Sequence, residues 1–328
     1  MARAIQIQET GGPERLELTE VAVPEPGPGE VRLNQWACGV NFIDCYHRNG
    51  LYPLPHLPHG LGVEACGEVE AAGPGVREVQ PGDRVAYAAP PPGAYAEQRV
   101  VAAERLIPVP EEVEDAVAGG TTLRGLTAWF LLHRTFQVRR GHILLVHAAA
   151  GGVGLILCQW ADYLGATVIG TVGDEEKAQV AAEHGCHHPI VYTRDDFREK
   201  VAAITGDRGV DVVYDSVGAA TFEASLDCLR PRGVMVSFGN ASGAPPAIEP
   251  GQLAQKGSLF LTRPILFHYV AERRDLLEGA AAYYDVVAQG ILEPRVGRRY
   301  PLEKAGQAHR DLEARATTGA LVLDLGRA

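Results

Sequence analysis

The residues whose chemistry is easiest to read are the small ones in Leu144-Leu145-Val146-His147-Ala148-Ala149-Ala150-Gly151-Gly152-Val153-Gly154. An apolar run gives way to a tight turn and then to the start of a helix. Small residues there let the backbone approach a pyrophosphate closely, and the helix N-terminus offers it free N–H groups and a positive dipole end. The strict G-x-G-x-x-G pattern is broken, because Ala149 takes the first glycine position ahead of Gly151 and Gly154. A glycine turn alone fits a purely structural βα connection equally well. The strand before it, the helix after it and a further βαβ unit carry the dinucleotide reading.

The choice of dinucleotide should be set at the end of the next strand. About 20 residues past the turn, NAD sites place an Asp or Glu on the ribose diol. Here Thr167–Val172 ends at Gly173, which leaves room for a larger group. Lys177, near one helical turn further on, is spaced to reach a 2′-phosphate, and Tyr192 ends the following strand and adds an edge contact. Asp174, Glu175 and Glu176 would repel a phosphate that faced them. We read them as favourable charge at a helix N-terminus, so NADPH is favoured over NADH.

These positions need a scaffold, and the spacing of apolar residues supplies one. Strands are expected at His142–His147, Thr167–Val172, Pro189–Tyr192, Val210–Asp215, Val234–Phe238 and Leu259–Thr262. Helices are expected between them, at about Gly152–Leu164, Glu175–His184, Asp196–Ile204 and Thr221–Leu229. Such alternation makes an α/β fold, a Rossmann-type doubly wound parallel sheet with helices on both faces. The first third reads differently. Short β-type runs there are punctuated by turns such as Pro26-Gly27-Pro28-Gly29 and Pro81-Gly82-Asp83, the mark of a mostly antiparallel β domain. After the alternating region come helices near Val270–Gln289 and Leu302–Ala314, then an apolar strand, Ala320–Leu325, that needs a sheet to join. The expected layout is a catalytic domain at residues 1–121, a nucleotide-binding domain at 122–265, and a return to the catalytic domain at 266–328.

Composition narrows the partners. The chain has 328 residues and a net charge of −11, which disfavours nucleic acid and anionic membranes. Apolar residues at 46% and charged ones at 22% give the balance of a soluble globular protein. The longest apolar run, residues 143–161, is interrupted by His147, Gln159 and the glycines, so no membrane span is expected. Six scattered cysteines form no C-x-x-C pair, and the polar N-terminus lacks a signal sequence, so a reduced, cytoplasmic setting is expected.

Several segments then occur in a telling order: Ala37-Cys38-Gly39-Val40-Asn41-Phe42-Ile43-Asp44, Gly50-Leu51-Tyr52-Pro53, Gly60-Leu61-Gly62-Val63-Glu64 and Pro81-Gly82-Asp83-Arg84-Val85. The glycine turn, Val213-Tyr214-Asp215-Ser216-Val217-Gly218 and Ser237-Phe238-Gly239-Asn240 follow. Over essentially its whole length the chain resembles the medium-chain dehydrogenase/reductase superfamily, in its zinc-free quinone oxidoreductase branch. That resemblance implies a GroES-like catalytic domain, a small-molecule quinone as substrate, reduction by NADPH without flavin, and a homodimer. Edge pairing of the Leu259–Thr262 strand is one route to the dimer.

Zinc-dependent members of the superfamily use a Cys and a His where this chain has Asn41 and Val63. Neither an amide nor an isopropyl group replaces a thiolate or an imidazole on zinc, and no four-cysteine lobe is present, so no metal is expected. Without a Lewis acid, alcohol oxidation loses its means of lowering the hydroxyl pKa. A quinone needs less help, since it is a strong electron acceptor and its reduced oxygens can take protons from water.

The resemblance also assigns residues. Asn41 is expected to turn its amide toward the nicotinamide or substrate, the alternative being an asparagine that caps a turn. Tyr52 matches the position of a proton-donating tyrosine in related enoyl-thioester reductases, the alternative being aromatic packing. Tyr46 has a weaker claim, and Asp44 is read as a loop stabiliser. The cofactor residues carried over are Asn41, Thr127, Ala150, Gly151, Gly152, Val153, Gly173, Lys177, Tyr192, Ser216, Phe238, Asn240, Arg263 and Arg315. A second reading is an NADPH-dependent enoyl or 2-alkenal reductase, which protonates a carbon. A third is a nucleotide-binding or structural protein with little turnover.

Overall fold

Strands between residues 143 and 262 pair as one sheet of six, every pair parallel. A computed structural model describes residues 1–326. It divides the chain into two units, the first made of Met1–Leu126, Val270–Ala288 and the stretch from Pro294 onward. The second comprises Thr127–Tyr269 and Gln289–Glu293.

In the second unit the spatial order is His188–Val191, Thr167–Val172, Ile143–His147, Val210–Asp215, Leu229–Ser237, Phe260–Thr262. The order of winding reverses between Ile143–His147 and Val210–Asp215. Loops leaving the carboxyl ends of those two strands therefore open at the point where such sheets hold ligands. Val210–Asp215 is buried at every position, as a central parallel strand covered on both faces must be. Leu145, Ile169, Val213 and Met235 form one core with Val201, Phe222 and Leu226 from the helices Phe197–Thr205 and Phe222–Asp227. Each such side chain stabilises the fold by about 1.5–3 kcal/mol on burial. The helices Gly152–Tyr163 and Glu175–Glu183 lie where the apolar spacing puts them.

Two elements depart from the expected pattern. The strand expected from Val234 begins at Leu229, and its register against Val210–Asp215 shifts between Val210 and Val212. Arg232 sits there at φ 62°, so the Pro231–Gly233 turn chemistry marks a bulge and not a boundary. A short helix, Pro250–Gln255, opens on proline within a stretch too polar to announce it.

The first unit is built around Glu30–Val40, which pairs antiparallel with Glu64–Ala72, Gln98–Ala102 and Ala320–Asp324. Arg84–Ala88 and Ile107–Pro108 extend one side, and Val296–Pro301 lies parallel to Ala320–Asp324 on the other. The last apolar strand thus joins the N-terminal sheet, where Leu321 and Leu323 enter a core with Val31, Leu33, Val69 and Val85. Val296–Pro301 is not visible in the periodicity, because most of its residues, Arg298 and Arg299 among them, are exposed. In the same unit, residues 115–126 of the helix Asp115–Phe130 are tied to the helix Arg273–Ala288 by hydroxyl pairs. Thr121 meets Tyr283 at 2.7 Å and Thr122 meets Tyr284 at 2.6 Å. All six cysteines are buried thiols. Among the described residues no helix is long and apolar enough to cross a membrane.

Candidate active site

In the second unit the chain turns sharply after Ile143–His147. Ala148 takes a left-handed φ of 53°, and Gly151 donates its N–H to the Ala148 carbonyl at 2.8 Å. Gly151 is the N-cap of Gly152–Tyr163 and brings no side chain to the cap. The first N–H groups of that helix therefore lack an intrahelical acceptor and suit an anion. A Cβ at Gly154 would collide with the Ala148 carbonyl oxygen and lie 2.8 Å from that of Ala149. At Gly151 it would lie 3.1 Å from the Ala148 oxygen. Small residues thus let the turn close tightly on the Ala148 and Ala149 carbonyls.

One strand further on, Thr167–Val172 ends at Gly173. A Cβ at Gly173 would lie 3.4 Å from the Tyr192 hydroxyl, and Tyr192 donates its N–H to Val172 O at 3.1 Å. Asp174 caps Glu175–Glu183, with Oδ1 accepting the Lys177 N–H at 2.8 Å and Oδ2 3.4 Å from Lys177 Nζ. The backbone N–H bond holds the Asp174 carboxyl below the usual range. Glu175 pairs with Arg194. The acidic cluster thus serves the helix end, and Gly173 leaves the strand end open.

The loops at the neighbouring strand ends are braced by Asp215. Its Oδ1 accepts from Val217 N at 2.7 Å, Gly218 N at 3.0 Å and Thr221 Oγ1 at 2.9 Å. Phe238 donates its N–H to the Asp215 carbonyl at 2.8 Å, and Arg263 Nη1 donates to the Ser237 carbonyl at 2.8 Å. Ser216, Phe238 and Asn240 are half-buried on these loops, and the buried Ser237 hydroxyl has no partner. Ala150 and Thr127 are buried, while Arg263 is exposed.

In the first unit Asn41 is buried and is the N-cap of Phe42–Arg48. Its Nδ2 donates to Glu64 Oε1 at 2.8 Å, and its N–H donates to Asp44 Oδ2 at 2.8 Å. Glu64 Oε1 also meets Arg124 Nη1 at 3.2 Å, and Oε2 accepts the Leu123 N–H at 2.7 Å. Arg124 Nη2 donates to the Val40 carbonyl at 2.7 Å, and Nη1 donates to that of Gly120. A Cβ at Gly39 would collide with the Glu64 carboxylate. Asn41 is therefore both a cap and the head of a buried ionic cluster, and its amide is spent in part on Glu64.

Tyr46 and Tyr52 meet edge to face, ring centroids 5.2 Å apart, and Tyr52 donates its N–H to the Tyr46 carbonyl at 2.9 Å. Tyr46 is buried and Tyr52 half-buried, and His47 also meets Tyr52 edge to face, 5.9 Å between ring centroids. Arg315 is exposed, at φ 56° just beyond the helix Ala305–Glu313. Glu64, Arg124, Tyr95 and His309 are the buried polar residues around Asn41 and Asp44 that sequence reasoning did not single out.

Burial pushes the Asp44 carboxyl up to about 7, against the N–H of Asn41 and the hydroxyl of Tyr95, which lower it. A carboxyl raised on folding adds stability that is complete below its unfolded pKa and is lost as pH climbs through the folded one. Asp44→Asn should remove that loss. The variant's unfolding free energy relative to wild type should grow between about pH 4 and pH 7, by up to about 1.4 kcal/mol per pH unit, then level off. Urea melts across that range measure it, and a flat difference would show that Asp44 does not titrate there.

A doubly wound sheet carrying this turn defines the second unit as a dinucleotide-binding one. Residues 152–277 match the model for the zinc-binding dehydrogenase family, and residues 27–111 that for the alcohol dehydrogenase GroES-like domain. A 2-haloacrylate reductase from Burkholderia is 48% identical, over 98% of this chain and 99% of its own. A quinone oxidoreductase from Pseudomonas aeruginosa is 47% identical over the same shares. The crystal structure of Escherichia coli quinone oxidoreductase complexed with NADPH superposes with a TM-score of 0.97 at 45% identity, covering 99% of this chain and 100% of the other. The chain belongs to the quinone oxidoreductase family of the medium-chain dehydrogenase/reductases.

Proposed function

We propose that this protein reduces quinones with NADPH, using neither zinc nor flavin. The observation that carries the reading is the ribose end of the second unit. Gly173 takes the position where an NAD site would carry a carboxylate, the Tyr192 hydroxyl lies beside it, and Lys177 pairs with the adjacent Asp174. Gly151, Gly152 and Val153 would take the pyrophosphate on N–H groups, with Ala150 closing the turn. Lys177 and Tyr192 would hold the 2′-phosphate, and Ser216, Phe238, Asn240, Arg263, Thr127 and Arg315 would complete the cofactor's contacts. The cofactor would supply a hydride, and the work of the chain is to place the acceptor and keep the site dry.

Asn41 is held by Glu64 and Asp44 and would orient the nicotinamide or the acceptor. The Tyr46–Tyr52 pair offers an aromatic wall to a planar quinone. Independence from zinc is supported by the donor set. Val63 is a buried apolar residue, Asn41 gives its amide to Glu64, and no group of three metal-ligating side chains is gathered among the described residues. A homodimer is supported by the edge strand Phe260–Thr262, whose Phe260 is 61% exposed. A cytoplasmic location is supported by the six buried thiols, which suit a reducing compartment.

Steady-state oxidation of NADPH and NADH with a series of benzoquinones tests the proposal. Lys177→Ala should raise KM for NADPH by about 10- to 100-fold, the value of one charge-assisted contact, and leave KM for NADH unchanged. If NADPH binds but no quinone accelerates its oxidation, the reading is wrong.

A second reading is favoured by the 2-haloacrylate reductase among the relatives. Reduction of an activated alkene requires a proton on carbon, and Tyr52 would be the residue to give it. Tyr52→Phe should cripple alkene reduction while sparing quinone turnover. Equal loss on both acceptors would assign Tyr52 to packing.

A further inference from the structure

A chain of buried hydrogen bonds runs through the first unit to the Asn41 cap, beyond the residues assigned above. It starts at the partly exposed Glu313, whose carboxylate holds the Arg48 guanidinium at 2.6 and 3.2 Å. Arg48 Nη1 lies 2.9 Å from His309 Nδ1. Arginine can only donate, so Nδ1 accepts and the ring proton sits on Nε2. Nε2–H then donates to the Tyr95 hydroxyl at 3.1 Å, which leaves Tyr95 its own proton for Asp44 Oδ2 at 2.7 Å. The same carboxylate oxygen receives the Asn41 N–H.

From Arg48 through His309 and Tyr95, each successive donor points toward Asp44, while Arg48 also donates to Glu313 at the outer end. The links come from three separated stretches: the helix Phe42–Arg48, the segment around Tyr95, and the helix Ala305–Glu313. Asp44 and His309 are both fully buried, and Asp44 Oδ1 has no partner. A histidine that merely filled space would not need both ring nitrogens engaged in one directed series.

We infer that His309 is a positioning residue for the reaction: acting through Tyr95 and Asp44, it holds the Asn41 cap where the chemistry needs it. This rests on the reading that Asn41 orients the nicotinamide or acceptor. Burial keeps the imidazole uncharged, down to about 3, so the chain keeps one polarity across the working pH range. The titratable and charged groups facing Asp44 are Tyr95, Glu64, Arg124, Cys38 and Cys45. Those facing His309 are Arg48, Tyr95 and Cys45, with Glu313 beyond Arg48.

The test compares His309→Leu, His309→Gln and Tyr95→Phe with wild type in the full chain. Glutamine keeps one acceptor and one donor, whereas leucine and phenylalanine break the chain. His309→Leu and Tyr95→Phe should lower kcat with a benzoquinone by about 10- to 100-fold, with KM for NADPH unchanged, and His309→Gln should recover most of it. Infrared spectra against pH supply a readout free of turnover, using the buried carboxyl band that Asp44→Asn removes. Its midpoint should rise in His309→Leu, because Tyr95 then donates less firmly to the carboxylate.

Melting curves establish that each variant is folded. A folded His309→Leu with wild-type kcat and an unmoved carboxyl midpoint overturns the inference. So does a His309→Gln no better than His309→Leu. If wild type reduces no acceptor, the quinone reading fails by itself, and the carboxyl midpoint alone decides the role of His309.

Discussion

Arg124→Leu is expected to cost the folded protein about 3–5 kcal/mol, because it leaves the Glu64 carboxylate buried without its counter-charge. Glu64 is fully buried, and burial already pushes its carboxyl upward against the pull of Arg124, Asn41 and the Leu123 N–H. With Arg124 gone, the carboxyl must take up a proton or remain as an isolated anion, since Asn41 and Leu123 N–H cannot neutralise it. The deficit should therefore be largest at alkaline pH and shrink on acidification. Arg124 Nη2 also satisfies the Val40 carbonyl, so that oxygen is orphaned as well. A drop in Tm of roughly 10 °C would follow for a domain of this size. Glu64→Gln in the Arg124→Leu background should restore part of the loss, and a double-mutant cycle of urea melts reads the coupling. Additive losses would mean that the two side chains do not act as a pair.

Gly154→Ala should abolish tight NADPH binding, with a fall in affinity of about 100-fold or more, equivalent to about 2.7 kcal/mol. The added methyl group meets the Ala148 and Ala149 carbonyls, which are backbone and cannot swing aside as a side chain would. The turn must open, and the N–H groups of the first helical turn then lose their common aim. Overpacking of this kind also destabilises by about 1–3 kcal/mol, so melting and binding should be followed together. Gly151→Ala provides the contrast. Its Cβ would lie 3.1 Å from the Ala148 oxygen, a distance that a shift of a few tenths of an ångström relieves. Fluorescence titration with NADPH should place Gly151→Ala between wild type and Gly154→Ala. A Gly154→Ala that binds as wild type does would remove the turn from the cofactor site.

The nucleotide-binding sheet was legible in the sequence because its signals are local. Apolar runs at Ile143–His147, Thr167–Val172 and Val210–Asp215 announce strands, and Ala149–Gly154 announces the turn, all within short windows. Gly173 and Lys177 are similarly local to the end of one strand. What could not be read is what depends on distant pairing. Glu64 and Arg124 are 60 residues apart, and Tyr95 and His309 are 214 apart, with no periodicity linking them. His309 looks like any polar residue on a short helix until that helix is seen beside Phe42–Arg48. Val296–Pro301 was hidden for a related reason: an outer strand with two exposed arginines has no apolar alternation to display. The Asn41 cap lies between these cases. Its place in the Val40-Asn41-Phe42-Ile43-Asp44 segment marks it, whereas its bond to Glu64 is a property of the folded sheet.

The pairing of Ala320–Asp324 with Glu30–Val40 also has a bearing on how the protein is made. Residues 37–40 leave the ribosome long before their partner strand exists, so that end of the central strand waits uncovered on one edge, although Gln98–Ala102 already covers residues 30–34 of it. The second unit, drawn almost wholly from 127–269, has all six of its strands much earlier. During vectorial synthesis the nucleotide-binding unit can therefore close while the unit that began first is still incomplete. A nascent chain arrested before residue 320 should hold a protease-resistant second unit attached to a protease-sensitive N-terminal segment.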